Sequence, residues 1–314
     1  MSTKSLYDFT IDPERIAQRP RAFGSQKLLV YHKQRDEIEH TTFELLPQLL
    51  QPGDLLVLND TQVVPAQVRL VEPIVGDCTS FLFLDPLCAV TSTMEVLLNT
   101  RVDVGSVLSL PGGLTFRVDE LVGGDPEVHR GSLFGLSGPL HEYLAGIGEM
   151  PLPPYVARVP DKEDEKAYQT SVAQVPGTFR SFSTEFVEQH QMDRERYHVS
   201  VAAGAAIHQA LQENRRVIAV GTTATRVLET CADSFRAPTP PADLSGEAGI
   251  FIYPPYEFKV LSGLFTNFHY PKTSVLTLTA AMVGSRDLLI DRIYKEALDR
   301  DYLWYSYGDG MLVL

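Results

Sequence analysis

Between about Gln67 and about Leu140 the chain breaks into short β-rich pieces, CTSFLFL, MEVLLNT, VLSL and LTFRVDELV, separated at regular intervals by Gly, Pro and Asp. Strands that short, at that spacing, suit an antiparallel sheet or a small barrel. The flanks have a different texture. ELLPQLLQPGDLLVLNDT (Glu44 to Thr61) predicts a short helix, a Pro-Gly-Asp turn and a buried strand. SVAAGAAIHQALQENRR (Ser200 to Arg216) predicts an amphipathic helix, and VIAVGTTATRVLET (Val217 to Thr230) predicts strand, turn and helix. RAPTPPADLSGEAG (Arg236 to Gly249) reads as a Pro/Gly-rich loop, and IFIYPP and FKVLSGLF read as strands. SRDLLIDRIYKEALDRD predicts a helix with Leu289, Ile293 and Ala297 on one face, and YLWYSYGDGMLVL a strand interrupted by Gly-Asp-Gly. Alternating strands and helices predict an α/β domain, residues 1–66 and 152–314, with residues 67–151 inserted as a β-barrel domain.

The net charge of −13 disfavours broad, nonspecific binding to nucleic acid, whose affinity comes from neutralising phosphates. Arg15, Arg19, Arg21 and Lys27 form either a local basic patch or an ordinary solvated face. No apolar run approaches the roughly 20 residues of a membrane-spanning helix, and MSTKSLYDFTIDPER has no basic-then-apolar signal region. Cys78, Cys88 and Cys231 have no metal-ligand spacing and suggest thiols in a reducing compartment. The expectation is a cytoplasmic protein without a structural metal.

In an open α/β sheet, ligands sit beyond the carboxyl ends of the strands. Four strand ends here concentrate polar residues: Asn59-Asp60-Thr61, Gly221-Thr222-Thr223, Asn267-Phe268-His269 and Ser306-Tyr307-Gly308-Asp309. Each alone suits a turn or a helix cap. Taken as sites, Gly221-Thr222-Thr223 aims backbone N–H groups and a helix dipole at an anion. It matches neither a P-loop nor a dinucleotide fingerprint. Asp60 and Asp309 are acid–base candidates, and His269 can transfer protons near neutral pH, although a histidine among aromatics is equally a hydrogen-bonded core residue. Tyr253, Tyr256, Phe265, Phe268, Trp304 and Tyr307 crowd the C-terminal segments, as core or as faces for a cationic ligand or a stacked base.

YDFTIDPERIAQRP, GDLLVLNDTQVVPA, MPLPPYVAR with DEKAYQT, VIAVGTTATRVLET, FIYPPYEFKVLSGLFTNFHYPKTS and YSYGDGM occur here in one order. In that order they resemble the S-adenosylmethionine:tRNA ribosyltransferase-isomerase family, the queuosine-pathway enzymes called QueA, over nearly the whole chain apart from the variable middle. The resemblance implies a QueA-like fold, an α/β domain with an inserted antiparallel β-barrel domain. It implies S-adenosylmethionine as co-substrate and ribosyl donor, no metal, and a tRNA anticodon stem-loop as partner. The ribosyl part would move to the aminomethyl group of a 7-deazaguanine base and rearrange, giving epoxyqueuosine with release of adenine and methionine. Within that reading His269 is the proton-transfer group, Asp60 and Asp309 are its positioning or acid–base partners, and His190 is a further catalytic residue. Gly221, Thr222 and Thr223 would hold the methionine carboxylate, with Asn267, Phe268, Tyr253 and Tyr307 lining the adenosyl ligand.

Three departures from the family pattern stand out. After YQT the chain runs through SVAQVPG into TFRSFSTEFVEQHQM, and a helix-and-strand portion usual in the family is missing. Gln62 and Gln67 replace the arginine-bearing version of NDTQVVPAQ, and Asp193 stands where a histidine is usual, beside retained His190, Met192 and Glu195. An alternative therefore stays open, a non-catalytic or altered-chemistry paralogue that binds an adenosyl ligand or RNA.

Overall fold

A computed structural model describes residues 7–74, 78–87, 93–123, 128–153, 155–169, 172–177 and 195–314. The chain forms two compact units, Met1–Asn59 with Thr184–Leu314, and Asp60–Ser183. His190, Met192 and Asp193 lie outside the described residues.

The first unit begins with β1 (Lys27–His32), β2 (Glu37–Thr42) and β3 (Leu55–Leu58). Between β2 and β3 stand the expected short helix, Leu46–Leu49, and a turn in which the Asp54 carboxylate accepts the Gln51 N–H at 2.7 Å.

The second unit carries β4 (Thr61–Val63), β5 (Gln67–Ile74), β6 (Cys78–Phe83), β7 (Thr93–Leu98), β8 (Val107–Leu110), β9 (Leu114–Gly123), β10 (Val128–Phe134) and β11 (Val175–Gly177). Six of these form an antiparallel sheet, β5-β6-β7-β10-β9-β8, and β8 returns alongside β5 so that the sheet nearly closes. The strands alternate as a half-buried sheet requires: in β7, Met94, Val96 and Leu98 point inward while Thr93 faces solvent. Phe81, Phe83 and Phe116 meet at its centre, with ring centroids 4.7 and 5.0 Å apart, and the helix Leu140–Ile147 adds Leu140 and Leu144 to this core. The β-barrel read from the short, regularly spaced strands is present.

Beside the barrel, the run from Met150 to Gln169 earns its residues one by one. Arg158 grips the wholly buried Asp164 through two hydrogen bonds of 2.7 and 2.6 Å. The Gln169 side-chain amide accepts the Val63 N–H at 2.9 Å and donates to the Val63 carbonyl at 2.8 Å. It thereby satisfies backbone groups of β4 on the strand's own pattern, while β11 pairs with β4 in parallel.

The first unit resumes with β12 (Glu195–Val199), β13 (Val217–Val220), β14 (Leu244–Ala248), β15 (Gly263–Asn267) and β16 (Gly310–Val313). Its main sheet has the order β2-β1-β16-β15-β13-β3, with β3, β13 and β15 mutually parallel and β16 antiparallel to β15. Leu28, Val30, Ile218 and Leu312 form the core of one face. The helix Ser274–Val283 is buried from Leu276 through Val283, and its threonines are tied back to carbonyls, Thr277 to Ile252 and Thr279 to Val275. Leu289, Ile293 and Ala297 are fully buried on one face, as the periodicity predicts, in a π-helical run Leu288–Tyr294 continued by the helix Lys295–Asp299.

Two readings of this unit are corrected. IFIYPP forms no strand, and the strand in FKVLSGLF starts only at Gly263. For FKVLSGLF the cause is Glu229, buried near the end of the helix Thr222–Thr230. Its carboxylate accepts the N–H groups of Lys259, Val260 and Leu261 at 2.9, 3.0 and 3.3 Å, and the Tyr256 hydroxyl at 3.1 Å. Donors that a strand would direct to a neighbour are held by a side chain instead. Conversely, the segment read as a Pro/Gly-rich loop contains β14, because β12 supplies an antiparallel partner from Glu195 to Val199. Among the described residues no helix is long and apolar enough to cross a membrane.

Candidate functional site

The register of the first unit's sheet decides which polar residues meet. β3, β13 and β15 run in parallel, so Asn59, Gly221 and Asn267 to His269 emerge at the same edge. β16 runs against β15 with Gly310 opposite Asn267, and β1 runs with β16 with Leu28 opposite Gly310. Asp309 and Lys27 therefore enter at that edge as well. Asp60 follows Asn59 in the chain and is counted with the second unit. It is exposed, and its backbone carbonyl accepts the Gln174 N–H at 2.8 Å.

Gly221 is the N-cap of the helix Thr222–Thr230, at φ 88°, a left-handed conformation that a side chain would strain. Its N–H donates to the Phe265 carbonyl at 2.8 Å, tying the cap to β15. No side chain caps the helix, so its first N–H groups point outward beside half-buried Thr222 and Thr223. That is the elementary form of an anion cradle.

His269 sits just past β15. Its ring Nε2 is 2.9 Å from the Thr266 hydroxyl, and its backbone N–H donates to the Tyr294 hydroxyl at 3.1 Å. The residue is half-buried, and desolvation of the imidazole pushes its pKa down to about 4. The ring is thus neutral at pH 7. The unfolded chain binds the imidazole proton below about 6.5 while the folded protein refuses it until about 4. Stability associated with this residue is complete above pH 6.5 and falls as pH drops through the window to 4, by roughly 3 kcal/mol in all. Between pH 7 and 4 the denaturant midpoint of wild type should fall relative to that of His269→Gln, whose side chain does not titrate.

Asp309 has no exposed surface. Its Oδ1 accepts Arg21 Nε at 2.9 Å and the Lys27 N–H at 2.7 Å, and its Oδ2 accepts the Leu303 N–H at 2.7 Å and Arg21 Nη2 at 3.3 Å. The carboxylate thus joins the N-terminal segment, the start of β1 and the loop before β16. Gly308 makes that loop possible: a Cβ there would lie 2.5 Å from the Leu303 carbonyl oxygen.

Other expected ligand contacts divide. Asn267 is half-buried and reaches the Asp309 carbonyl at 3.4 Å, and Tyr253 is 48% exposed. Phe268 and Tyr307 are buried. Phe268 packs among Tyr294, Tyr302 and Trp304 with centroids 5.0 to 5.5 Å away, so its ring belongs to the core and not to an open ligand surface. Phe9, from the YDFTIDPER run, joins the same aromatic cluster at 5.7 Å from Tyr294 and Trp304. Thr273, expected to cap the following helix, instead turns its hydroxyl back to the Tyr270 carbonyl at 2.7 Å. The N-terminal cations are committed to the fold. Arg15 pairs with Asp301, Arg21 with Asp309, and Lys27 Nζ donates to the Arg300 and Asp301 carbonyls at 2.7 and 3.2 Å.

Thr266 and Tyr294 were not singled out in the sequence, and Arg21 stood there only as part of a basic patch, not as the partner of Asp309. Thr266 carried a signal, its position three residues before His269 in a strand end. Arg21 carried none, since it meets its partner across 288 residues. Among the described residues no group of three or more His, Cys, Asp or Glu side chains is placed to hold a metal ion.

The family described as "Queuosine biosynthesis protein" matches residues 4–177 and 172–313 of this chain. The S-adenosylmethionine:tRNA ribosyltransferase-isomerase of Chlorobaculum parvum is 35% identical over 344 residues, covering 98% of each chain. Its namesake from Legionella pneumophila is 33% identical over 362 residues, covering 100% of each. Among solved structures, an S-adenosylmethionine tRNA ribosyltransferase from Thermotoga maritima is 28% identical with a TM-score of 0.54, covering 99% of this chain and 100% of that one. These alignments outrun the 314-residue chain, so the relatives carry residues with no counterpart here. The two family matches overlap at residues 172–177, just after the YQT run.

Proposed function

The chain belongs to the queuosine-biosynthesis protein family, and we propose on that premise that it is an S-adenosylmethionine-dependent tRNA ribosyltransferase-isomerase. The observation that carries the reading is similarity above 30% identity over essentially the full length of relatives bearing that name. In the finer reading, the ribosyl part of S-adenosylmethionine moves to the aminomethyl group of a deazaguanine base in the anticodon stem-loop. Rearrangement gives epoxyqueuosine, and adenine and methionine leave. The reaction belongs to the cytoplasm, where its tRNA is found.

The sheet edge supports roles for this chain's residues. The uncapped N-terminus at Gly221, Thr222 and Thr223 suits the methionine carboxylate. The neutral His269 imidazole suits a proton-transfer or hydrogen-bonding role where the adenine departs. Asn267 and the exposed Tyr253 offer polar and aromatic contact to the adenosyl ligand. Asp309, with both oxygens engaged, serves as a positioning group for the strand ends. Asp60 and His190 are assigned as acid–base groups by family resemblance alone.

One observation favours a second reading. The break in the family match at residues 172–177 removes material that the relatives possess, which suits a binding protein that has lost turnover. Mass spectrometry of adenine and methionine release decides between the two. Protein is mixed with S-adenosylmethionine, with and without an anticodon stem-loop carrying the aminomethyl-deazaguanine base. RNA-dependent release of both, with a matching mass gain on the RNA, supports the enzyme. Binding of S-adenosylmethionine without release leaves the non-catalytic relative.

A further inference from the structure

We infer that Thr266 fixes His269 in its Nδ1–H tautomer, so that the imidazole presents a hydrogen-bond donor, not a base, to the ligand. The inference deepens the proposed function and rests on its placement of His269 at the ligand.

Hydrogen-bond accounting carries the argument. Thr266 is 5% exposed, and its hydroxyl has one partner among the described residues, His269 Nε2 at 2.9 Å. A hydroxyl has a single proton to give, and buried donors in native proteins find acceptors. Two arrangements fit the distance. In one, Nε2–H donates to Thr266 Oγ1, and the hydroxyl proton is left buried with nothing to accept it. In the other, the hydroxyl donates to Nε2, and both groups are satisfied. The second leaves no orphan. A neutral imidazole whose Nε2 accepts must carry its proton on Nδ1, a tautomer assigned here from the network.

The rest of the site agrees with this assignment. Nδ1 has no hydrogen-bond partner among the described residues, and His269 keeps part of its surface open. The backbone of His269 is pinned independently by its N–H bond to Tyr294. Burial keeps the ring neutral near pH 7, so the ring nitrogen without a partner is an N–H with no lone pair to offer.

The chemistry that uses such a group is specific. When the bond between the ribose carbon and the purine breaks, its electron pair goes to the departing purine. A fixed N–H donor aimed at a purine ring nitrogen stabilises that developing negative charge. No proton need leave the imidazole, and water can protonate the purine once it is free. Thr266 acts through His269 and is a positioning residue.

The test is the tautomer itself, read from long-range proton–nitrogen spectra of ¹⁵N-histidine-labelled full-length protein near pH 7. The His269 signals are identified by their loss in His269→Ala. The expected result is a protonated Nδ1 and an unprotonated Nε2. Added adenine, the probe for the departing base, should move the Nδ1–H proton downfield. Thr266→Val removes the hydroxyl that donates to Nε2, so it should release the lock and let both neutral tautomers populate, and it should slow adenine release severalfold with little change in the KM for S-adenosylmethionine. Thr266→Ser should restore both tautomer and rate. An Nε2–H tautomer in the unsubstituted protein overturns the inference, as does a Thr266→Val tautomer ratio identical to that of the unsubstituted protein or an Nδ1–H signal indifferent to saturating adenine. Should Thr266→Val fail to fold, the unsubstituted spectrum still decides. Normal turnover by His269→Ala would instead sink the placement of His269 in the reaction, a failure the spectra distinguish from a wrong tautomer.

Discussion

His269→Ala should lower RNA-dependent adenine release by about 10²–10³-fold, the usual loss when one preorganised donor to a developing charge is removed. Binding of S-adenosylmethionine should change far less, because the anion cradle at Gly221 to Thr223 lies on the neighbouring strand end and shares no hydrogen bond with the imidazole. The fold should survive, since His269 is only half-buried and its backbone bond to Tyr294 does not need the ring. His269→Gln makes the comparison sharper. A glutamine amide can donate a hydrogen bond but cannot act as a base at neutral pH. If His269 is a donor, Gln should retain more activity than Ala; if it is a base, the two should be equally poor. Quenched time courses of adenine formation, with circular dichroism as the folding control, separate these outcomes. Unchanged turnover in His269→Ala removes the residue from the mechanism.

Why Phe268 was read as facing a ligand while the structure buries it is a matter of strand geometry. From Phe265 to His269, half-buried and buried residues alternate: Phe265, Asn267 and His269 keep exposure, while Thr266 and Phe268 do not. The period of two was present in FTNFH, and applying it would have sent Phe268 to the core with Thr266. Gly221 with the helix after it was legible for the same local reason, a strand, a glycine and an amphipathic run in sequence. The barrel was legible from strand length and turn spacing alone. Glu229 was not, because its partners are backbone N–H groups some thirty residues further on, which carry no residue identity to read. The late start of the strand in FKVLSGLF follows directly from that blindness: its apolar pattern is strand-like from Phe258, and a distant carboxylate takes the N–H groups of Lys259 to Leu261.

Asp309→Ala should destabilise the protein by roughly 3–5 kcal/mol, the range for breaking a buried, hydrogen-bonded ion pair by removing one partner. The carboxylate is wholly buried and joins three separate stretches of chain, so alanine strands the Lys27 and Leu303 N–H donors and leaves Arg21 without its counter-ion. Asp309→Asn should recover little. An amide keeps one acceptor oxygen but turns an NH₂ toward donors, and it cannot balance the guanidinium charge. Arg21→Ala should cost less than Asp309→Ala, because Arg21 is part-exposed and its removal leaves both backbone donors satisfied. A double-mutant cycle of Arg21→Ala and Asp309→Ala, followed by urea denaturation, measures the coupling. If Asp309→Ala instead unfolds at the wild-type midpoint and loses only turnover, the residue is a chemical participant and the positioning role fails. With the predicted ordering, the Asp309 carboxylate is what ties the N-terminal segment and the start of β1 to the loop before β16. β16, which that carboxylate anchors at its start, pairs with the end of β15, so the ligand contact proposed for His269 depends on the same anchoring.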